Sequence, residues 1–192
     1  MSDQSNPSGR KRIVEGCETL FSTTPIIPYV YVLRYRPMVR REVELASLNQ
    51  SDQILNIGCG SIPATAINLA GLTAGEIVCL DYDRDAVANA RNVVSRYGLS
   101  NRITVCKGDG RTVKINGFDA VVVALHTIGK STVLDNFLSS AEPEQKMILR
   151  YPRSHLREQY GQPDRTYQPD NIKSQIGVNL ECSALFSGDK SY

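Results

Sequence analysis

The segment Ile54-Leu55-Asn56-Ile57-Gly58-Cys59-Gly60-Ser61-Ile62-Pro63 constrains this chain more than any other, read together with Val78-Cys79-Leu80-Asp81. A short apolar run ends in a tight glycine turn, and a helix-like segment follows. A second apolar run then closes on an acid about twenty residues after the glycines. This is the layout of a βαβ unit that holds an adenosine-containing cofactor. Glycine admits backbone conformations and close approaches that a side chain forbids, and the acid accepts hydrogen bonds from ribose hydroxyls. The pattern names a class of cofactor and leaves the reaction open.

From Asp52 onward the rhythm continues. Strands are predicted at Gln53–Ile57, Glu76–Leu80, Ile103–Lys107, Ala120–Ala124 and Met147–Arg150. Each is a continuous apolar or β-branched run, as a strand covered on both faces requires. Helices are predicted at Ile62–Ala70, Asp85–Tyr97 and Ser131–Ser139. In the second, Ala86, Val87, Ala90, Val93, Val94 and Tyr97 form one stripe, with Asp83 or Asp85 to cap it and Gly98 to end it. The alternation specifies an α/β fold, a Rossmann-like doubly wound sheet, mostly parallel. After Arg153 only one good strand is visible, Val178–Phe186. The last strand of such a sheet is therefore expected to be short or absent, leaving a smaller sheet or an edge covered by a second subunit, as in a homodimer.

Upstream, Ile13–Leu48 has a helical pattern interrupted by Pro25, Pro28 and Pro37. Two or three short helices are expected, broken at Thr24–Pro28 and bent or restarted near Pro37. The expected organisation is a disordered tail over 1–12, an N-terminal helical cap over 13–50, and a cofactor-binding domain over 51–192.

The 192 residues suit one domain, and 41% hydrophobic with 22% charged residues is ordinary for a globular chain. No apolar run approaches the roughly 18 residues that span a bilayer, and no signal-peptide pattern opens the chain, so a cytoplasmic protein without a membrane partner is expected. Five cysteines without a C-x-x-C pair and only two histidines give a metal site little to work with, and none is predicted. Cys79 and Cys106 read as buried thiols. A net charge of +2 does not point to nucleic acid, although Arg10-Lys11-Arg12 and Arg34, Arg36, Arg40 and Arg41 crowd the first fifth of the chain.

A dinucleotide site wants a third glycine where this chain has Pro63, a residue suited to a first helical turn. The stretch instead resembles motif I of the class I S-adenosylmethionine-dependent methyltransferases, a hydrophobic strand followed by acid-x-G-x-G. The resemblance runs from about Asp52 to Arg150. It implies S-adenosylmethionine as cofactor, with Gly58 and Gly60 lining its methionyl and ribose part. Asp81 would hold the ribose hydroxyls, with Tyr82 beside it, and Asp109 and Gly110 of Gly108-Asp109-Gly110 would face the adenine amino group. The chain departs from the motif at Asn56, which can hydrogen-bond but lacks the usual charge, and at Ile62-Pro63, where a small residue is usual.

Those departures resemble another family. Gly58-Cys59-Gly60-Ser61-Ile62-Pro63-Ala64-Thr65-Ala66-Ile67-Asn68-Leu69-Ala70 is similar to the glycine segment of nicotianamine synthases, G-S-G-P-L-P-L-T-S-I-x-L-A. Pro28-Tyr29 and the helix carrying Leu33 and Glu42 look like that family's tyrosine-bearing helix. Ala124 to Lys130 and Leu149 to Arg153 occupy the places of its A-L-x-G segment and its strand ending in arginine. Such enzymes let an amine attack the γ-carbon of the cofactor's aminocarboxypropyl arm and release methylthioadenosine.

The leading expectation is a methyltransferase acting on a small-molecule acceptor. The alternatives are an aminocarboxypropyl transferase and a non-catalytic binding protein with a cofactor fold. His126, just past the fourth strand, is a candidate proton acceptor or a plain loop histidine. Tyr29 is the second candidate catalytic residue. Tyr29, Tyr31 and Tyr35 with Arg34 and Arg36 form a lid over the cofactor, or pack the cap onto the sheet. Tyr35, Arg36 and Arg150 are candidate substrate ligands. Glu42 reads as a solvated helix residue.

Overall fold

The computed structural model describes residues 26–163, 167–177 and 179–188. The expected tail, the first third of the cap (13–25), Cys17 and Val178 lie outside the described residues. Helix α1 spans Ile26–Leu45 without a break, where two or three helices were expected. Pro28 falls in the first turn, where a missing N–H costs nothing. Pro37 lies inside the helix, at a cost of about 3 kcal/mol. That cost is offset by one buried face: Val32 and Val39 enter the core, with Ala46 just past the helix end, each valine contributing about 1.5–3 kcal/mol.

Strands β1 (Ile54–Ile57), β2 (Ile77–Asp81), β3 (Ile103–Lys107), β4 (Ala120–Val123) and β5 (Lys146–Pro152) run parallel. The seven-stranded sheet has the order β3-β2-β1-β4-β5-β7-β6, with β6 (Asn171–Ser174) and β7 (Leu180–Ser187) completing an antiparallel end. The missing strand is thus present, and an open edge no longer argues for a second subunit. It escaped the hydrophobic pattern because all four β6 residues are exposed. Backbone pairing to β7 alone defines it, from Asn171↔Leu185 to Ser174↔Cys182. A short, polar strand carrying Lys173 is a suitable sheet edge.

Helices α2 (Ala64–Leu72) and α3 (Arg84–Arg96) share one face of the sheet with α1, around Val39, Leu69, Ala90, Val122 and Ile148. Helix α4 (Lys130–Ser140) covers the other, where Val133, Leu134 and Phe137 meet Val121, Met147 and Phe186. Asp83 caps α3, its carboxylate accepting from the Asp85 and Ala86 N–H groups. The connection from β5 to β6 contains a turn of 3-10 helix at Ser154–Leu156 and the short helix α5 (Arg157–Tyr160). Among the described residues no helix is long and apolar enough to cross a membrane.

Candidate active site

The parallel strands end at one level, and the loops leaving them converge there. Pairing places Ile57 beside Leu80 and Val123, and Asp81 beside Lys107. The chain then turns at Gly58 and Gly60, both with positive φ (76° and 65°). A β-carbon on Gly58 would overlap the Thr127 hydroxyl, so this glycine lets β1 and the loop after β4 close on each other. A β-carbon on Gly60 would meet nothing within 4 Å. The turn therefore faces open space, a cradle that a ligand can approach to backbone distance.

Asp81 sits at the rim of that space, largely buried. Its Oδ2 accepts from the Gly60 N–H (2.8 Å) and its Oδ1 from the Asp83 N–H (3.1 Å). These bonds hold the carboxylate in place, and each oxygen keeps a lone pair for a hydroxyl donor. Tyr82, the next residue, is exposed. Gly110 is buried, and a β-carbon there would collide with Ile57. Asp109 forms a two-point ion pair with Arg111 (Nη2–Oδ2 2.6 Å), and hydrogen bonds from Arg111 lower its pKa to about 2. As it stands, this carboxylate faces a guanidinium; contact with an adenine amino group requires Arg111 to share it.

Asn56 lies in β1, one residue before the strand ends. It is wholly buried, and its Nδ2 donates to the Val122 carbonyl of the adjacent strand (3.1 Å). Its side chain ties β1 to β4, and no polar group among the described residues meets its Oδ1. The alternation of side chains along a strand sends position 56 into the core beneath α2 while the backbone beyond Ile57 reaches the surface.

On the acceptor side, His126 lies in the loop after β4, its ring edge-on to Tyr160 with centroids 4.7 Å apart. Much of the imidazole remains accessible, yet packing around it strips hydration, and that, with the charges of Lys130 and Arg150, lowers its pKa. His126 is therefore neutral at pH 7 and able to accept a proton. Tyr31 and Tyr35 stack at 4.7 Å with their hydroxyls 2.9 Å apart. Tyr35 interacts with both Arg150 and Tyr160, which brings this part of α1 to the His126 side of the sheet. Tyr29 is exposed, and with burial, the larger cause, it raises the pKa of Tyr97 at the end of α3.

Two expected substrate ligands are placed elsewhere. Arg150 is buried and locked: its Nε and Nη2 donate to Glu42 Oε1 and Oε2 (2.8 and 2.7 Å), and the Ser183 hydroxyl adds a bond to Oε1 (2.7 Å). Burial opposes the arginine's charge, but Glu42 outweighs it and raises the pKa. Glu42 is thus an internal ion-pair partner rather than a solvated residue. Arg36 lines an open groove of about 690 Å³ with Leu33, Pro37, Arg40, Arg41 and Lys173, between α1 and β6; it lies at the β6 edge of the sheet, with Ser174 at the end of that strand, and not at the glycine turn after β1. The residue that sequence reasoning passed over is Lys130. A cation in the first turn of a helix opposes the helix dipole, and that anomaly was the available signal.

Residues 54–144 match the family model of a methyltransferase domain. Across 94% of its length the chain superimposes on a point mutant of MtNAS in complex with S-adenosylmethionine, at TM-score 0.77, 17% identity and 74% of that chain. MtNAS in complex with MTA and tNA gives TM-score 0.76 at 18% identity, over 90% of this chain and 69% of that one. An RNA methyltransferase from Salinibacter ruber in complex with S-adenosyl-L-homocysteine gives 0.67 at 18% identity, over 82% of this chain and 94% of that one. The chain has the class I methyltransferase fold. In sequence it is similar to L-histidine 2-aminobutanoyltransferase of Yersinia pestis, 23% identical over 121 residues, or 63% of this chain and 45% of the relative. The same enzyme of Pseudomonas aeruginosa strain UCBPP-PA14 is 31% identical over 115 residues, 59% of this chain and 43% of the relative. The chain thus spans under half the length of these curated relatives.

Proposed function

We propose that this class I methyltransferase-fold chain is an S-adenosylmethionine-dependent transferase that moves the cofactor's 2-aminobutanoyl arm to the amine of a small-molecule acceptor. The observation that carries the choice of transferred group is the sequence similarity to L-histidine 2-aminobutanoyltransferases. The likeness in fold to MtNAS bound to MTA and tNA supports it.

The cradle suits this cofactor. The open space at Gly60 admits its methionyl and ribose portion, and the two free lone-pair sites of Asp81 suit a ribose diol. When bound, the cofactor supplies a carbon activated by an adjacent sulfonium. The acceptor nitrogen forms a bond to the γ-carbon, and the C–S electron pair leaves with sulfur in methylthioadenosine. The proton lost by the amine passes to His126, which is neutral for that purpose. In-line displacement makes alignment the protein's main contribution, and the tyrosine pair of α1 with Tyr160 closes the acceptor side. With Asn56 buried, no carboxylate stands at the usual motif position to hold the cofactor's ammonium, so the arm is less tethered there than in mainstream methyltransferases.

Methyl transfer is the second reading, favoured by the domain match over 54–144. The nucleoside product separates the two. Incubation with S-adenosylmethionine and L-histidine, or other amino acids, is expected to yield methylthioadenosine only when an acceptor is present. S-adenosylhomocysteine in its place establishes methyl transfer. Absence of S-adenosylmethionine binding by calorimetry would leave the non-catalytic reading.

A further inference from the structure

Lys130 opens α4, where the exposed N–H groups of a helix start repel a cation. It is also 3% exposed, and no ion pair joins it among the described residues. Its three N–H groups are instead shared among four carbonyls within hydrogen-bond distance: Leu125 (2.6 Å), Thr127 (3.2 Å), Tyr160 (2.5 Å) and Gly161 (3.4 Å). Those acceptors come from two separate segments. Leu125 and Thr127 flank His126 on either side, and Tyr160 and Gly161 end α5. The two side chains that lie between the segments, His126 and Tyr160, are the ones packed edge to face.

Placing a charged group here without a carboxylate is costly, and a merely structural link between two loops needs no charge. The charge has a second consequence at His126. The titratable and charged groups around that imidazole are Lys130 from α4, Arg150 from β5 with its partner Glu42 from α1, and Tyr160 from α5. Glu42 largely neutralises Arg150. Lys130 has no such counter-ion among the described residues, so its positive charge adds to burial, the larger cause, in disfavouring the imidazolium.

We propose that Lys130 is a positioning residue of the active site, an ammonium staple that fixes the His126 loop against the Tyr160 segment and so holds the imidazole edge-on to the Tyr160 ring. The proposal deepens the reading of His126 given above and rests on it for its catalytic meaning, not for its geometry. Burial holds Lys130 itself at about 8, so the staple is charged at neutral pH.

The test uses the full chain carrying His155→Gln, which leaves one imidazole for NMR. Lys130→Met is expected to raise the His126 titration midpoint, move the acid limb of turnover up with it, and speed amide exchange at 125–127 and 160–161 together. A fall in kcat with the S-adenosylmethionine dissociation constant retained marks positioning rather than binding. Lys130→Arg keeps the charge and is expected to keep the His126 midpoint. A midpoint and exchange pattern unchanged in Lys130→Met overturn the staple, whatever the turnover. Should Lys130→Met not fold, the arginine variant decides: a midpoint that rises although the charge is kept overturns the electrostatic role. Unchanged turnover in His126→Gln refutes His126 as proton acceptor, and the titration and exchange readouts then still decide the staple.

Discussion

Glu42→Gln is the sharpest perturbation the fold offers. The substitution keeps side-chain volume and replaces one carboxylate oxygen with an amide that can only donate. In the folded chain both Glu42 oxygens meet donors: Arg150 Nε and Ser183 Oγ on Oε1, Arg150 Nη2 on Oε2. Glutamine satisfies one side and turns a donor toward a donor on the other. The arginine cannot escape to water, since its side chain is 3% exposed and that of Glu42 1%. Removing one partner of a buried pair costs about 3–5 kcal/mol, and the acceptor that glutamine retains returns about 1 kcal/mol. The expected loss is therefore ~2–4 kcal/mol, a large share of the ~5–15 kcal/mol that holds an ordinary domain together. Urea unfolding of the wild type and variant measures it. The double variant Glu42→Leu with Arg150→Met is expected to be more stable than Glu42→Leu alone, because the unpaired charge goes with its partner. Folded Glu42→Gln should also bind S-adenosylmethionine more weakly, because the pair anchors the end of α1 that follows Tyr31 and Tyr35. A loss under ~1 kcal/mol, or single and double variants that simply add, would refute the claim that this pair pins α1 to the sheet.

Three further outcomes are expected. Asp81→Ala should weaken S-adenosylmethionine binding in calorimetry by ~1.5–3 kcal/mol, the scale of lost hydrogen bonds to a charged group; an unchanged dissociation constant shows that Asp81 is not the ribose ligand. Gly60→Val puts a branched side chain at φ 65° into the open cradle, so it should lose cofactor binding and ~1–2 kcal/mol of stability while circular dichroism retains the fold; full binding would show that the cofactor lies elsewhere. Burial lowers Lys130 from 10.5 to about 8, so between these values the unfolded chain binds the proton more tightly and this group's contribution to stability rises with pH. Urea titrations from pH 7.5 to 10.5 should show a steeper rise in the wild type than in Lys130→Met, and parallel curves would contradict the buried-ammonium assignment.

Much of the fold was legible because its signals are local. Each of β1 to β5 is a continuous apolar run within a residue or two of its observed bounds. The stripe from Ala86 to Val94 faces the core as its spacing requires, with Asp83 as its cap. The glycine turn and Asp81 could be placed at one strand-end level because a βαβ unit leaves little freedom between adjacent parallel strands. What the pattern of residues could not carry is the fate of polar groups whose partners lie far along the chain. Asn56 is buried and tied to the Val122 carbonyl of the adjacent strand, and Arg36 faces the groove between α1 and β6.

The amino-acid sequence by itself determined the α/β class, the cradle and its acid, because periodicity and turn chemistry act over a few residues. Only the tertiary structure decided the rest. Glu42 and Arg150 are 108 residues apart, and neither shows in sequence that burial will force them together. Strand β6 exists through pairing with β7, not through apolar residues of its own. Helix α1 runs through Pro37 because its buried face outweighs one missing hydrogen bond. Lys130 finds four carbonyls only when the loop after β4 and the end of α5 meet.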